Sequence, residues 1–206
     1  MRIGIDFDNT IVDYTGVFYQ VAVGLGWIPK ETQHTKFAVK QFFLDNNNEK
    51  KWTELQGIVY GKAIIQASPF PCIHQTFTSW LSKGYELFII SHKTKYPIIG
   101  DKVNFHIAAM NWLEQHQLVS LSGSSTTIPY KNVFFNETKE EKIAKIAALS
   151  CDLFIDDLPS ILLHDNFPKP TEKVLFDPKN EQELEGQNSV LSKNKILHWS
   201  TLAEHY

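Results

Sequence analysis

Short apolar runs with strand character recur along this chain, separated by longer stretches of helical spacing, and two of them end in aspartates. Arg2-Ile3-Gly4-Ile5 leads directly into Asp6-Phe7-Asp8. Tyr85-Glu86-Leu87-Phe88-Ile89-Ile90 is closed by Ser91-His92-Lys93, and Asn132-Val133-Phe134-Phe135 follows. Leu153-Phe154-Ile155 runs into Asp156-Asp157, Lys173-Val174-Leu175-Phe176 comes next, and 195–199 reads as a sixth short strand. Bounded apolar runs of this length suit strands buried on both faces. Between them the spacing predicts helices near 72–83, closed by Gly84, near 101–117, and over 138–149 with Thr138 as cap. Strands alternating with helices imply an α/β fold, a parallel sheet with helices on both faces. Ligands of such sheets bind at the carboxyl ends of the strands. Asp6, Asp8, Ser91, Asp156 and Asp157 all fall at those ends.

The stretch 14–71 breaks the alternation. Val17, Phe18, Val21 and Leu25, and later Trp52, Leu55, Ile58 and Val59, recur at helical spacing with little period-two pattern. We expect residues 1–13 and 72–206 to form the α/β core and 14–71 to form a separate helical insertion. Its aromatic residues Trp27, Phe37, Phe42, Phe43, Trp52 and Tyr60 are expected mainly as packing. Polar residues 177–194 read as a surface loop.

Charge and cysteine usage narrow the function classes. Twenty basic residues face 23 acidic ones, for a net charge of −3 at pH 7, and Arg2 is the only arginine. A nucleic-acid polymer is therefore an unexpected partner, because binding one calls for a basic footprint and phosphate-clamping arginines. Two cysteines, Cys72 and Cys151, supply neither a disulfide framework nor a four-sulfur zinc site. No run approaches the roughly 18 apolar residues of a membrane span, and the N-terminus lacks a signal-peptide apolar region. A cytoplasmic protein away from membranes is the expectation.

Three or four carboxylates converging on one sheet rim would repel one another and resist ionisation. A hard divalent cation resolves that conflict. Mg2+ takes oxygen ligands and keeps room for water and phosphate, and histidine spacings typical of zinc are absent from the sequence. A phosphate held beside those aspartates needs donors and a cation as well. Ser91 offers a hydroxyl and His92 a ring nitrogen at the second strand end. Lys139 or Lys142, in the first turns of the helix after the third strand, offers positive charge, and spacing favours Lys142. His92 and Lys93 also stand where they could touch a leaving group.

Taken together these motifs resemble the haloacid dehalogenase-like (HAD) superfamily. Asp6-Phe7-Asp8-Asn9-Thr10 is similar to its first motif, and Phe88-Ile89-Ile90-Ser91 to its second. Lys142 or Lys139 matches the motif lysine, and Phe154-Ile155-Asp156-Asp157 the acidic fourth motif. The resemblance implies a Rossmann-like core with a helical cap inserted between the first two motifs. It implies Asp6 as a nucleophile forming an aspartyl-phosphate, and Asp8 as general acid and base. Ser91 and the lysine would hold phosphate, while Mg2+ would rest on Asp6, the Asp8 carbonyl and Asp156, with Asp157 bound directly or one shell out. The second aspartate disfavours the dehalogenases, which lack it, and the transport ATPases, which place threonine there.

A cap favours small substrates because closure excludes polymers. The expected activity is thus Mg2+-dependent hydrolysis of a small phosphate monoester, a mononucleotide or sugar phosphate. The alternatives are a 5'-nucleotidase-like or phosphotransferase specificity, and a non-catalytic module binding a divalent cation or a phosphorylated ligand.

Overall fold

The computed structural model describes residues 1–180, 191 and 194–206. Six strands form one sheet: β1 (Arg2–Ile5), β2 (Glu86–His92), β3 (Val133–Asn136), β4 (Leu153–Asp156), β5 (Glu172–Phe176) and β6 (Lys195–Ile196). Their order across the sheet is β6-β5-β4-β1-β2-β3, and every neighbouring pair is parallel. The expected α/β, Rossmann-like architecture is therefore present. After β3 the chain returns across β1 to lay β4 on its other side, so the order reverses between β1 and β4. A parallel sheet opens a crevice at the carboxyl ends of such a pair.

Eight helices accompany these strands among the described residues: α1 (Val17–Gly24), α2 (Lys36–Asp45), α3 (Glu49–Tyr60), α4 (Ile73–Ser82), α5 (Phe105–Gln115), α6 (Lys139–Ala148), α7 (Pro159–Leu162) and α8 (Trp199–His205). The chain divides into two compact units. The first comprises Met1–Val12, Pro69–Lys93 and Glu114–Tyr206, and holds the sheet. Period-two alternation sends Phe88 and Ile90 of β2 to one face, where they join Ile146 of α6, Phe154 and Leu175 in a buried cluster. Helix α4 also packs on β2. Close packing reaches the backbone at Gly4, where an added Cβ would stand 2.6 Å from the Phe154 ring.

The second unit comprises Asp13–Ser68 and Thr94–Leu113. An aromatic cluster occupies its interior: Phe18 stacks on Trp52 at 5.3 Å and meets Tyr60 edge-on at 5.7 Å. Phe43 and Trp52 are buried, whereas Phe37 is 75% exposed. The segment 94–113, assigned by sequence to the 72–206 core, clusters with this helical unit. The Trp112 indole donates to the Ala67 carbonyl at 3.0 Å, and Lys62 pairs with Asp101 at 2.6 Å.

One local expectation needs correction, and one short element is new. Strand β6 stops at Ile196, because only Lys195 and Ile196 pair with Leu175 and Phe176, and Trp199 opens α8. Leu158 and Pro159 start a short helix that the sequence pattern did not show. Most of the expected 177–194 loop lies outside the described residues. No helix among the described residues is long and apolar enough to cross a membrane.

Candidate active site

The site lies within the sheet-bearing unit, at the reversal between β1 and β4. Asp6 follows β1 directly, and its backbone N–H donates to the Ile155 carbonyl at 2.9 Å, which continues the β1–β4 ladder one residue further. Asp156 ends β4 and is fully buried, while Asp157 beside it is half-buried. Beyond Asp6 the chain turns sharply. Asn9 takes the left-handed conformation at φ 58°, which asparagine tolerates better than most residues, and Ile11 and Val12 both donate to the Phe7 carbonyl. The turn holds Asp8 and Thr10 at the rim. The Thr10 hydroxyl reaches an Asp6 oxygen at 3.5 Å, and the Thr10 carbonyl accepts from the Trp199 indole at 2.9 Å.

Helix α6 delivers the cation. Thr138 caps it by accepting from the Glu141 N–H at 3.1 Å, and Glu141 returns a carboxylate to the Thr138 N–H at 3.2 Å. Ile143 and Ile146 are buried with Lys142, so the inward face of α6 carries this lysine as well as the packing residues. Lys142 Nζ sits 2.5 Å from Asp6 Oδ1 and 2.6 Å from Asp156 Oδ2, and the lysine is 1% exposed. Lys139 is turned to the surface, donating to the Ser160 hydroxyl at 3.3 Å. Of the two lysines the sequence left open, Lys142 is the one beside the aspartates.

Burial pushes the Asp6 carboxyl up to about 7, against the pull of Lys142 and with added repulsion from Asp156. For Lys142 burial favours the neutral amine, but Asp156 and Asp6 outweigh it and hold the ammonium above the ordinary lysine value. The cluster thus carries more buried negative charge than one lysine satisfies. Asp6, Asp156 and Asp157 can each offer one carboxylate oxygen, all within 4.8 Å of one another, and so could hold a metal ion. The donors are all hard oxygens, which suits Mg2+.

Ser91 lies on β2, beside β1, and is 1% exposed. Its hydroxyl is buried and, among the described residues, without a hydrogen-bond partner. An unsatisfied buried hydroxyl is costly and invites an acceptor. The Ser91 carbonyl accepts from the Asn136 side chain at 3.1 Å, which ties the ends of β2 and β3 together. The His92 ring is engaged with the Glu137 carbonyl at 3.1 Å rather than with the aspartates. Two contributors were underweighted by sequence. Lys93 is buried and pairs with both oxygens of Asp8, at 2.7 and 2.9 Å. Asn136 fixes the strand ends, and its only sequence signal is its place immediately after an apolar run.

The geometry matches solved structures of one fold. The fold is that of the haloacid dehalogenase-like hydrolases. A protein described as a dehalogenase superposes with a TM-score of 0.57 at 12% identity, covering 100% of this chain and 96% of that one. A HAD-superfamily hydrolase of subfamily IA, variant 1, from Geobacter sulfurreducens PCA gives 0.57 at 11% identity, over 99% and 95%. A haloacid dehalogenase-like family hydrolase from Xanthomonas campestris gives 0.51 at 9% identity, over 100% and 93%. No protein-family model and no curated protein matches the sequence. Across so low an identity the HAD-like likeness is one of architecture, and chemistry has to be argued from the residues.

Proposed function

We propose that this HAD-like protein is a Mg2+-dependent phosphatase that hydrolyses a small phosphate monoester through an aspartyl-phosphate on Asp6. The observation that carries the reading is the buried ammonium of Lys142 held between Asp6 and Asp156 at the sheet reversal, with the unsatisfied Ser91 hydroxyl on the adjoining strand. An attacking carboxylate and an incoming phosphate are both negative, so they can meet only where positive charge and donors are already fixed. Mg2+ bound by Asp6, Asp156 and Asp157 would add the Lewis acidity that draws charge off the phosphoryl oxygens. Lys142 and Ser91 hold those oxygens from the protein side. Asp6 attacks phosphorus as the ester bond breaks, and Asp8 gives its proton to the departing oxygen. Asp8 then takes a proton from water as that water attacks phosphorus and releases Asp6. Splitting one displacement into two lowers each barrier.

A dehalogenase activity, as one structural neighbour is described, is the weaker reading. Carbon–halogen displacement gives no use to a second carboxylate that exchanges protons with a leaving oxygen, and Asp8 stands at that position. The ester would be a small one, a mononucleotide or sugar phosphate. Phosphate release from an aryl phosphate and from panels of both classes, with Mg2+ and with EDTA, tests the reading. Wild type should release phosphate only with Mg2+, and Asp6→Asn should not. Equal release by both proteins would refute the nucleophile assignment. Mg2+ binding without turnover of any ester would favour a ligand-binding module.

A further inference from the structure

Lys93 is a buried charge at this rim to which the proposed chemistry assigns no role. It is 4% exposed, and its Nζ binds both oxygens of Asp8, at 2.7 and 2.9 Å. The Asp8 side chain keeps 20% exposure, so the Asp8 end of the pair is partly open to solvent. Lys93 is anchored as well as paired. Its backbone N–H donates to the Asn136 carbonyl at 2.8 Å, continuing the β2–β3 ladder, and its ammonium lies 5.2 Å from the centre of the Phe7 ring. Phe7 is itself fixed edge-on against Phe135 at 6.0 Å. An exposed lysine would swing freely, whereas this one presents its charge at a single place.

We propose that Lys93 is a positioning residue for Asp8: it fixes the orientation of the acid–base carboxylate and balances the charge left on it when its proton departs. This rests on the phosphatase reading above. In the first half-reaction the Asp8 proton passes to the ester oxygen while the P–O bond breaks and the Asp6–phosphorus bond forms. The Asp8 carboxylate that results is the species Lys93 is placed to hold. In the second half-reaction the same carboxylate, already oriented, accepts a proton from the attacking water as the Asp6–phosphoryl bond breaks. The role is separate from phosphate binding, which falls to Lys142 and Ser91.

Leaving-group dependence distinguishes such a residue from a structural one. An alkyl phosphate needs its departing oxygen protonated, while 2,4-dinitrophenyl phosphate expels a stable anion and does not. Lys93→Met should lower kcat on a simple alkyl phosphate by about 10²-fold, within the range general acid–base help supplies, and far less on the dinitrophenyl ester. Lys93→Arg, which can still grip both oxygens, should recover much of the loss. Asp8→Asn should show the same selectivity, and adding Lys93→Met to it should cost little more. Equal losses on both esters, or a raised KM on both at unchanged kcat, would overturn the proposal. So would additive losses in the double variant. Should Lys93→Met fail to melt cooperatively, Lys93→Arg and Lys93→Gln carry the same comparison. Absence of turnover by wild type on both esters would overturn the phosphatase reading, and this role with it. Selective loss only in the variants would not be mistaken for that.

Discussion

Replacing Lys142 with methionine removes the ammonium held between Asp6 and Asp156 while keeping a side chain of similar length. Lys142 is 1% exposed, Asp156 0% and Asp6 5%, so water cannot take over from the lost ammonium. Breaking a buried pair by removing one partner costs about 3–5 kcal/mol, because the remaining charge is left uncompensated. Here two carboxylates are stranded, which places the expected cost at the upper end, about 4–5 kcal/mol. For a chain of this size each kcal/mol moves Tm by about 2–4 °C, so Tm in EDTA should fall by at least about 8 °C. The loss should depend on pH. Burial already raises Asp6 from its ordinary 3.8 to about 7 with the lysine in place, and without it the carboxyl rises further. A carboxyl with a raised folded-state value favours the fold in its protonated form, so stability falls as pH climbs through that value. The deficit of Lys142→Met should thus be smaller near about pH 6 than near about pH 8. Thermal unfolding followed by far-UV circular dichroism, in EDTA at both values, measures it. A Tm within about 2 °C of wild type, or a deficit that shrinks as pH rises, would refute the argument.

The two thiols should separate cleanly. Cys72 is exposed, whereas Cys151 is 3% exposed and burial pushes its thiol up to about 12, so a thiol reagent near pH 8 should label one cysteine in native protein and two after denaturation. Labelling of both at comparable rates in the native state would contradict this packing. Trp199→Phe keeps an aromatic body against Phe77 and Phe176 but strands the buried Thr10 carbonyl, and should cost about 1–3 kcal/mol in denaturant unfolding. Because Thr10 also reaches Asp6, this variant should lose turnover on alkyl and aryl phosphates alike, unlike Lys93→Met.

How much of this was legible beforehand depends on whether the deciding interaction is local in sequence. Strand ends were readable because an apolar run and the carboxylate that stops it are neighbours in the chain: Ile5 with Asp6, Ile155 with Asp156. The helix over Lys139–Ala148 was readable for the same reason, since Thr138 and Glu141 cap it within four residues. Spacing favours Lys142 over Lys139 without deciding between them, because both suit a solvated helix face. Only the burial of Ile143 and Ile146 decides which one turns inward. The segment Thr94–Leu113 carried an apolar stripe but nothing to say which partner it would choose; Ala67 and Lys62, which hold it, lie more than thirty residues earlier. The run Lys195-Ile196-Leu197-His198-Trp199 reads as one short strand. Only its first two residues found a partner.

The acid–base half of the site shows the same limit most sharply. Asp8 was identified from its spacing to Asp6, two residues along one strand exit. What gives Asp8 a fixed orientation is Lys93, 85 residues away, and no local pattern distinguishes that lysine from an ordinary loop residue. Adjacency arises from the parallel pairing of β1 with β2, which sets Ile5 against Ile89 and so brings Asp8 and Lys93 out at the same rim. The sheet register thereby assembles the pair of Asp8 with Lys93, beside the pair of Asp6 with Lys142 that helix α6 delivers. If phosphoryl transfer runs here, the Asp6 pair meets the phosphorus and the Asp8 pair the leaving oxygen, so substitutions in the two should differ in how strongly their effect depends on the leaving group.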